Sequence, residues 1–373
     1  MPAMSFLRLC APAAVTLALA LATQGVRAGG ADDVAGWDPA AAARYLDGRA
    51  TWWTTWPNAA RDRGTYCMSC HTTLPYALAR PALRGLLNEH GPSAGEEQIV
   101  GNLLTRARAW KDVEPWYPDQ TRGIPKTSES RAIEAVMNAL VLSRRDAVTG
   151  TLSDDTRTAL GVMWALQMKT GPETGAWTWL NFKLEPWESP NSPYFGASMA
   201  ALAIASAPGG YATAPEIADR MTALRVYFQK QHAQVSLLNQ LTGVWATSGI
   251  AGLLTPAQRQ ATVDAAFERQ QADGGWNTTA IGGYTRVDNT APDTRSDGYA
   301  TALATLALQA AGVPASDPRL AKGLTWLRTH QDAASGRWPA VSPNKARDPE
   351  SDTGRFMSDA ATAYAVLSLT YQR

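Results

Sequence analysis

Apolar runs rich in alanine and leucine alternate along the chain with more polar runs. Residues 300–308 are apolar on nearly every helical face, which is typical of a helix buried on all sides. Residues 217–221 carry charge on one face, as a half-exposed helix does. We therefore predict six helical hairpins, each pairing a half-exposed first helix with a buried second helix. The first helices are expected near 38–55, 96–110, 153–170, 214–231, 256–272 and 316–332, and the second near 69–87, 128–143, 194–207, 234–253, 296–311 and 357–371.

Three of the predicted first helices end in a shared motif of glutamine, a glycine-containing turn and tryptophan. Trp276 and Trp338 lie 62 positions apart, and the Ser-Asp pairs that follow them place Asp297 and Asp359 at the same separation. Two landmarks in one register indicate an internal repeat. The three copies of the motif run from Gln167 to Trp177, from Gln270 to Trp276 and from Gln331 to Trp338.

This motif, preceded by Lys322-Gly323 and Trp326-Leu327 in its last copy, resembles the QW repeat of squalene–hopene cyclases and related triterpene cyclases. The resemblance covers the third, fifth and sixth hairpins. It implies the α/α toroid shared by terpenoid cyclases and protein prenyltransferase β subunits, and hence an all-α fold formed by a single (α/α)6 toroid of six helical hairpins. In that family the glutamine caps the next helix and the tryptophan stacks on it, so we interpret the repeat as structural.

The catalytic signature of the cyclases is absent from the sequence. Those enzymes protonate their substrates with a D-x-D-D motif, and the nearest carboxylates here are the weak catalytic candidates Asp293, Asp297 and Asp359, with Asp288 nearby. Because Ser-Asp at the start of a helix is a capping signal, we favour helix capping for Asp297 and Asp359. The zinc-binding arrangement of the prenyltransferases is not matched either.

The N-terminus has the features of a secretory signal peptide over residues 1–28. Arg8 precedes an apolar run at 11–22, and Val26-Arg27-Ala28 suits cleavage. The run is too short to span a bilayer. We expect residues 29–373 to form one toroid domain without a membrane span, exported to a periplasm or secreted. The net charge of +1 gives no reason to expect a nucleic-acid partner.

Cys67, Cys70 and His71 form a C-x-x-C-H motif near the start of the first inner helix. Beyond the signal peptide they include every cysteine of the chain. In an exported protein this motif predicts covalent haem c, with both thiols bonded to the porphyrin and His71 bound to iron. A Cys67–Cys70 disulfide is the simplest alternative.

A zinc site is the other alternative, and it would need further ligands from carboxylates or from His90, His232 or His330. For haem, Met357 is a candidate second axial ligand, because a closed ring places the last inner helix beside the first. A methionine packed in the rim is the favoured interpretation of Met357. His232 is the next candidate, and an open coordination position is a further option.

Three long loops, at 171–193, 277–295 and 339–355, join first to second helices in hairpins three, five and six. They therefore belong to the rim that carries the C-x-x-C-H motif, and we expect them to cap it.

The function expected from these features is that of an exported haem c protein for electron transfer or redox chemistry, with a redox partner protein or a small apolar ligand. One alternative is a squalene cyclase- or prenyltransferase-like enzyme, or a ligand-binding protein without haem. A polysaccharide-active toroid is a further alternative, since residues 184–190 combine Trp with carboxylates. The sequence does not decide whether the protein is an enzyme.

Overall fold

The computed structural model describes residues 36–372, and in that range the regular elements are helices, accompanied by isolated β-bridges. The predicted signal peptide lies outside the described residues. The outer helices are α1 (Pro39–Thr55), α3 (Ala94–Arg108), α6 (Asp154–Ala165), α8 (Ala218–Gln231), α10 (Pro256–Glu268) and α13 (Pro318–Thr329). The inner helices are α2 (Thr73–Leu86), α5 (Lys126–Thr149), α7 (Ser192–Ser206), α9 (Leu237–Ala246), α12 (Gly298–Ala310) and α14 (Phe356–Leu369). Two short helices, α4 (Asp119–Arg122) and α11 (Thr278–Gly282), lie in connections.

The six inner helices form a closed ring. Each packs against the next in chain order, and α14 packs against α2 to complete the circle. Each outer helix packs on the outside of this ring, and α1 contacts both α2 and α14. The predicted all-α, six-hairpin toroid is therefore confirmed. Among residues 36–372, no helix is long and apolar enough to cross a membrane.

The inner helices are buried because small apolar side chains let their backbones approach closely. In α12, every residue from 298 to 308 is buried. Two predicted ends differ most from the structure. Helix α9 stops at Ala246, seven residues before the expected end at 253, and α5 continues six residues past the expected end at 143. The buried positions of α5 end at Asp146, but the helix continues to Thr149. It ends at the C-cap residue Gly150, whose φ of 70° is typical of a left-handed helix cap. The loop predicted at 277–295 also contains α11.

In hairpins three, five and six, the QW motif joins the outer helix to the turn that follows it. Trp177, Trp276 and Trp338 are fully buried, and each indole Nε1 donates to a carbonyl near the end of the preceding outer helix. The acceptors are the carbonyls of Met163 at 2.6 Å, Ala266 at 2.6 Å and Leu327 at 2.7 Å. This shared contact supports the structural interpretation of the repeat.

The glutamines of the motif reach the next outer helix. Gln331 Oε1 accepts from the backbone N–H of Asp38 at 2.6 Å, so the last hairpin caps the first helix. Gln167 and Gln270 instead donate from Nε2 to carbonyls near the starts of α8 and α13. The amide capping implied by the family resemblance thus holds at the ring closure, while the other two copies use carbonyl acceptors.

The middle of the ring is filled by aromatic side chains. Trp245 of α9 and Tyr364 of α14 contact each other with ring centroids 5.5 Å apart, although α12 separates their helices in the ring. Tyr299 packs between Tyr364 at 5.6 Å and Trp187 at 5.4 Å. These residues are almost completely buried. The axis beneath the C-x-x-C-H rim is therefore packed rather than open.

Candidate functional site

The C-x-x-C-H motif leads directly into α2, whose N-cap residue is Thr72. Two contacts hold the motif in place. Trp53 Nε1 donates to the carbonyl of Cys67 at 2.7 Å. Ser69 Oγ accepts from the N–H groups of Thr72 and Thr73 at 3.1 and 3.0 Å, which satisfies two exposed donors at the helix start. The expected position at the start of the first inner helix is therefore observed.

Cys67 and Cys70 are free thiols with 2% and 4% of their surface exposed. Burial raises the pKa of both thiols, and the nearby carboxyl of Glu188 raises that of Cys70 further. Within residues 36–372, no three His, Cys, Asp or Glu side chains are grouped so that they could hold a metal ion. A protein-ligated zinc site needs three or four such ligands, so the zinc alternative lacks partners among the described residues.

His71 is held in one neutral tautomer. Its Nδ1 lies 2.9 Å from Thr72 Oγ1, and the single proton of that hydroxyl is donated to Asp359 Oδ2 at 2.7 Å. The hydroxyl must then accept from Nδ1–H, which leaves the lone pair on Nε2. Burial, assisted by Arg49 and Arg347, lowers the pKa of His71 to about 3, so the ring is uncharged at neutral pH.

Asp359 anchors this hydrogen-bond chain from the last inner helix. Its carboxylate accepts from Arg49 Nε at 2.8 Å and from Tyr45 Oη at 2.7 Å, as well as from Thr72. Burial raises the pKa of Asp359 and the Arg49 guanidinium opposes that rise. The capping interpretation of Asp359 is wrong, because α14 begins at Phe356 and the carboxylate lies within its first turn.

Aromatic rings enclose the imidazole of His71. The ring of Phe356 stacks on it at a centroid distance of 3.8 Å, Trp53 meets it edge-on at 5.1 Å and Trp187 lies at 5.8 Å. His71 borders two small cavities of about 110 and 170 Å³. Phe356 and Glu188 also border both cavities.

Glu188 is the carboxyl of this site that borders both cavities, together with His71. No residue in the described range hydrogen-bonds to its carboxyl. Burial raises its pKa to about 7, an effect that Lys126 only partly offsets. Around it lie Trp53, Trp56 and Tyr117. A carboxyl in such surroundings is a proton donor or acceptor near neutral pH.

The three long loops cover this rim, as expected. Asn344 holds two of them together, since it accepts from the Glu185 N–H at 2.7 Å and donates to the Glu185 carbonyl at 2.6 Å. The carbonyl of Asn344 accepts from the N–H of Val287 in the third loop at 2.8 Å. Asn344, Trp187 and Glu188 all line the cavity beside His71.

The structure brings some sequence candidates to His71 and leaves others elsewhere. Met357 is 3% exposed and lines the 110 Å³ cavity together with His71. His232 is hydrogen-bonded on both nitrogens, to Tyr194 Oη at 2.6 Å and to Thr262 Oγ1 at 2.8 Å, so neither nitrogen has a free lone pair directed at a cavity. His90 is exposed. His330 stacks on Trp326 at 4.1 Å, away from this site.

The aspartate candidates that precede α12 lie outside the site. Asp297 is the N-cap of α12 and accepts from the N–H groups of Tyr299 and Ala300 at 3.0 Å each. This agrees with the capping interpretation, and burial still raises its pKa to about 6. Asp293 pairs with Arg295 at 2.6 Å. Asp293 and Asp297 line a separate cavity of about 370 Å³ that does not include His71.

The sequence analysis missed three groups of this site: Thr72, Phe356 and Glu188. Thr72 directly follows His71 in the sequence, and Phe356 directly precedes Met357. Their position next to a candidate residue was the signal that could have identified them. Residues 184–190 belong to a loop that was expected to cap the rim, but their carboxylates were considered only for polysaccharide chemistry. Nothing in their composition singles out Glu188 as the carboxyl beside His71.

Comparison with known proteins finds no family model and no curated protein that matches. Among solved structures, the chain is similar to the type II terpene cyclase MstE from Scytonema in its apo form, with 11% identity, a TM-score of 0.45 and coverage of 89% of this chain and 99% of that one. It is also similar to ent-copalyl diphosphate synthase from Streptomyces platensis, with 16% identity, a TM-score of 0.30 and coverage of 87% and 50%. The contacts of the twelve long helices themselves define an α/α-toroid protein.

Proposed function

We propose that this α/α toroid is an exported protein that carries haem c on Cys67 and Cys70, with His71 Nε2 as the proximal ligand. The observation that carries the proposal is the fixed tautomer of His71, which leaves Nε2 unpartnered beside two free thiols. Metal-bound histidines are commonly oriented by a second hydrogen bond of this kind from the other ring nitrogen. Bound haem would supply one-electron chemistry to a redox partner protein in the periplasm or outside the cell.

The thiols of Cys67 and Cys70 and the imidazole of His71 are the groups that haem c requires, but the cavities beside His71 are small. The two cavities beside His71 are each smaller than the roughly 300–1,000 Å³ of ordinary small-molecule sites. Phe356 borders both cavities, so the proposal requires its ring to move when haem is attached. Met357 borders the same space and remains our candidate for the second axial ligand.

The test is to express the full chain with its export signal in a host that has haem-attachment machinery. We expect a red protein with a Soret band, and haem staining that survives denaturing electrophoresis. A C67A/C70A double variant should lose covalent haem, while Met68→Leu, which keeps the motif, should retain it. A colourless wild-type protein from this host would reject the proposal.

The same cavity supports a second candidate function, an acid-initiated reaction on an alkene of terpenoid type. Here Glu188 is the supporting observation, because a carboxyl with a pKa of about 7 can deliver a proton near neutral pH. The surrounding faces of Trp53, Trp56 and Phe356 would stabilise a carbocation through their π electrons. The cavity sizes restrict such a substrate to a small unit unless Phe356 moves.

The variant Glu188→Gln separates the two candidates. Under the haem proposal it leaves covalent haem in place. Under the alkene proposal it abolishes conversion of small isoprenoid alkenes, which we would follow by gas chromatography, while Glu216→Gln, which changes an exposed carboxyl outside the site, serves as the control. Absence of product from the wild-type protein would remove the second candidate.

A further inference from the structure

A second cavity lies at the rim opposite the C-x-x-C-H motif. It has a volume of about 700 Å³, within the range of small-molecule sites. Its walls come from the C-terminal halves of α2, α5 and α7 and from the first turns of α3. Apolar side chains predominate, including those of Pro81, Ile99, Val141 and Val148.

The unexpected extension of α5 builds one wall of this cavity. Residues 144–149 lie beyond the predicted end of the helix, and five of them border the cavity. Val148 is 76% exposed, which is unusual for a large apolar side chain that lines a concave surface. The extension therefore adds a wall that combines Val148 with two arginines, Arg144 and Arg145, and that the closure of the ring does not require.

One cationic group in this wall has no counter-charge. Arg84 pairs with Glu96 at 2.5 Å, and Arg145 pairs with Asp146 at 2.7 Å. Arg144 is partly buried, and no residue of the described range forms a hydrogen bond or ion pair with its guanidinium. Burial lowers its pKa from the ordinary value, as expected for a cation that lacks a partner.

The other carboxylate of the cavity does not compensate Arg144. Glu97 is exposed on the first turn of α3, and Glu96 is occupied by Arg84 and by the N–H of Ser93. A partly desolvated guanidinium without a counter-ion is costly, and an anionic ligand would remove that cost.

We propose that this cavity binds a single-chain amphipathic anion, with its carboxylate on Arg144 and its apolar chain along the walls formed by α2, α3 and α5. The site is independent of haem and of Glu188, since it lies at the other end of the inner helices.

Titration calorimetry of the full-length exported protein with decanoate tests this proposal. We expect saturable binding of one decanoate, at least tenfold weaker binding of the uncharged decanol, and hexanoate weaker than decanoate by about fourfold per methylene removed. Arg144→Met should weaken decanoate about tenfold or more and leave decanol unchanged. Arg269→Met, which removes an exposed arginine at the C-cap of α10, is the matched control and should change neither.

A second variant tests the cavity rather than the charge. Ala205 is exposed at the mouth, so Ala205→Phe should fold normally while it fills part of the space and weakens decanoate and decanol together. No saturable decanoate binding at millimolar concentration would overturn the proposal. Equal affinity of wild type and Arg144→Met for decanoate would also overturn it.

Discussion

The hydroxyl of Thr72 is directed by Asp359, a residue 287 positions further along the chain. This contact decides which nitrogen of His71 carries the proton. The three side chains form a hydrogen-bond chain from a buried carboxylate to an imidazole, and the far end of the imidazole is left free. Thr72 therefore acts as a positioning residue in the proposed haem site.

We predict that in Thr72→Val the imidazole of His71 is no longer held in a single tautomer. In the haem-free protein, ¹⁵N NMR should show His71 fixed as the Nδ1–H form in wild type and mixed in the variant. In the haem-loaded protein, affinity of the imidazole for iron should fall roughly 10- to 100-fold, seen as a change in the visible bands. Thr72→Ser keeps the hydroxyl and should behave as wild type. An unchanged tautomer in Thr72→Val would contradict this role.

Glu188 makes stability depend on pH. Its pKa rises from 4.5 in the unfolded chain to about 7 in the fold, so between these values the folded state holds a proton that the unfolded state has released. Stability must then fall as pH rises from about 4.5 to 7, by at most about 3 kcal/mol, and level off above that.

Urea unfolding of Glu188→Gln at several pH values measures this contribution. Between pH 5 and 7.5, the free energy of unfolding of Glu188→Gln should decline less than that of the wild type. The control Glu216→Gln, which changes an exposed carboxyl, should show the same decline as the wild type. If the free energy of unfolding of wild type and Glu188→Gln changed with pH in the same way, the prediction would be contradicted. The Glu188 carboxyl would then be better solvated than its surroundings indicate.

At the scale of elements, the second hairpin lacks the QW motif and uses a buried ion pair instead. Arg106 of α3 and Glu134 of α5 have no exposed surface, and Arg106 Nε donates to the Glu134 carboxylate at 2.5 Å. Arg106 also donates to Thr65 Oγ1 and to the carbonyl of Glu114. One guanidinium therefore joins the outer helix, the inner helix and the segment before the C-x-x-C-H motif.

We predict that Arg106→Met destabilises the fold by about 3 kcal/mol, because the buried Glu134 carboxylate loses both hydrogen bonds from Arg106 and keeps only the more distant Arg131 at 3.8 Å. The matched control is Arg108→Met, two residues along the same helix, where the arginine is exposed and its partner Asp155 is partly exposed. That variant should change stability little. Urea denaturation of both proteins measures the difference, and similar losses would show that helix propensity rather than the ion pair is responsible.

At the scale of the molecule, the ring has no free ends. Trp37 packs on Trp338 at 5.7 Å, Gln331 caps α1 and Arg49 pairs with Asp359. An open array of repeats can fray from its termini, but here the sixth hairpin is covered by the first. The closure also supplies the site, since Asp359, Phe356 and Met357 reach His71 only through it.

We therefore predict a single cooperative unfolding transition. Tryptophan fluorescence and far-ultraviolet circular dichroism should give coincident urea curves for the mature protein. Gln331→Ala, which removes the cap across the closure, should shift both curves to lower urea by an equal amount, corresponding to roughly 1 kcal/mol. Separate transitions for the two probes would mean that the hairpins unfold independently.

The sequence by itself determined the six hairpins, the role of the QW tryptophans and the place of Cys67, Cys70 and His71 at a helix start. These features depend on local periodicity and on motifs within one hairpin, which the chain order records directly. Helix ends were less certain where polar residues follow a buried stretch, as in α5. Capping was predicted correctly for Asp297 and wrongly for Asp359, because the two identical Ser-Asp signals lie at different places relative to their helices.

Only the tertiary structure decided the tautomer of His71, the burial of Glu188 and the uncompensated charge of Arg144. Each depends on side chains that come from different hairpins and meet because the ring closes and its loops fold over the rim. Desolvation and hydrogen-bond direction are properties of such three-dimensional surroundings. No spacing along the chain encodes them, so the chemistry of this site became visible only with the closed toroid.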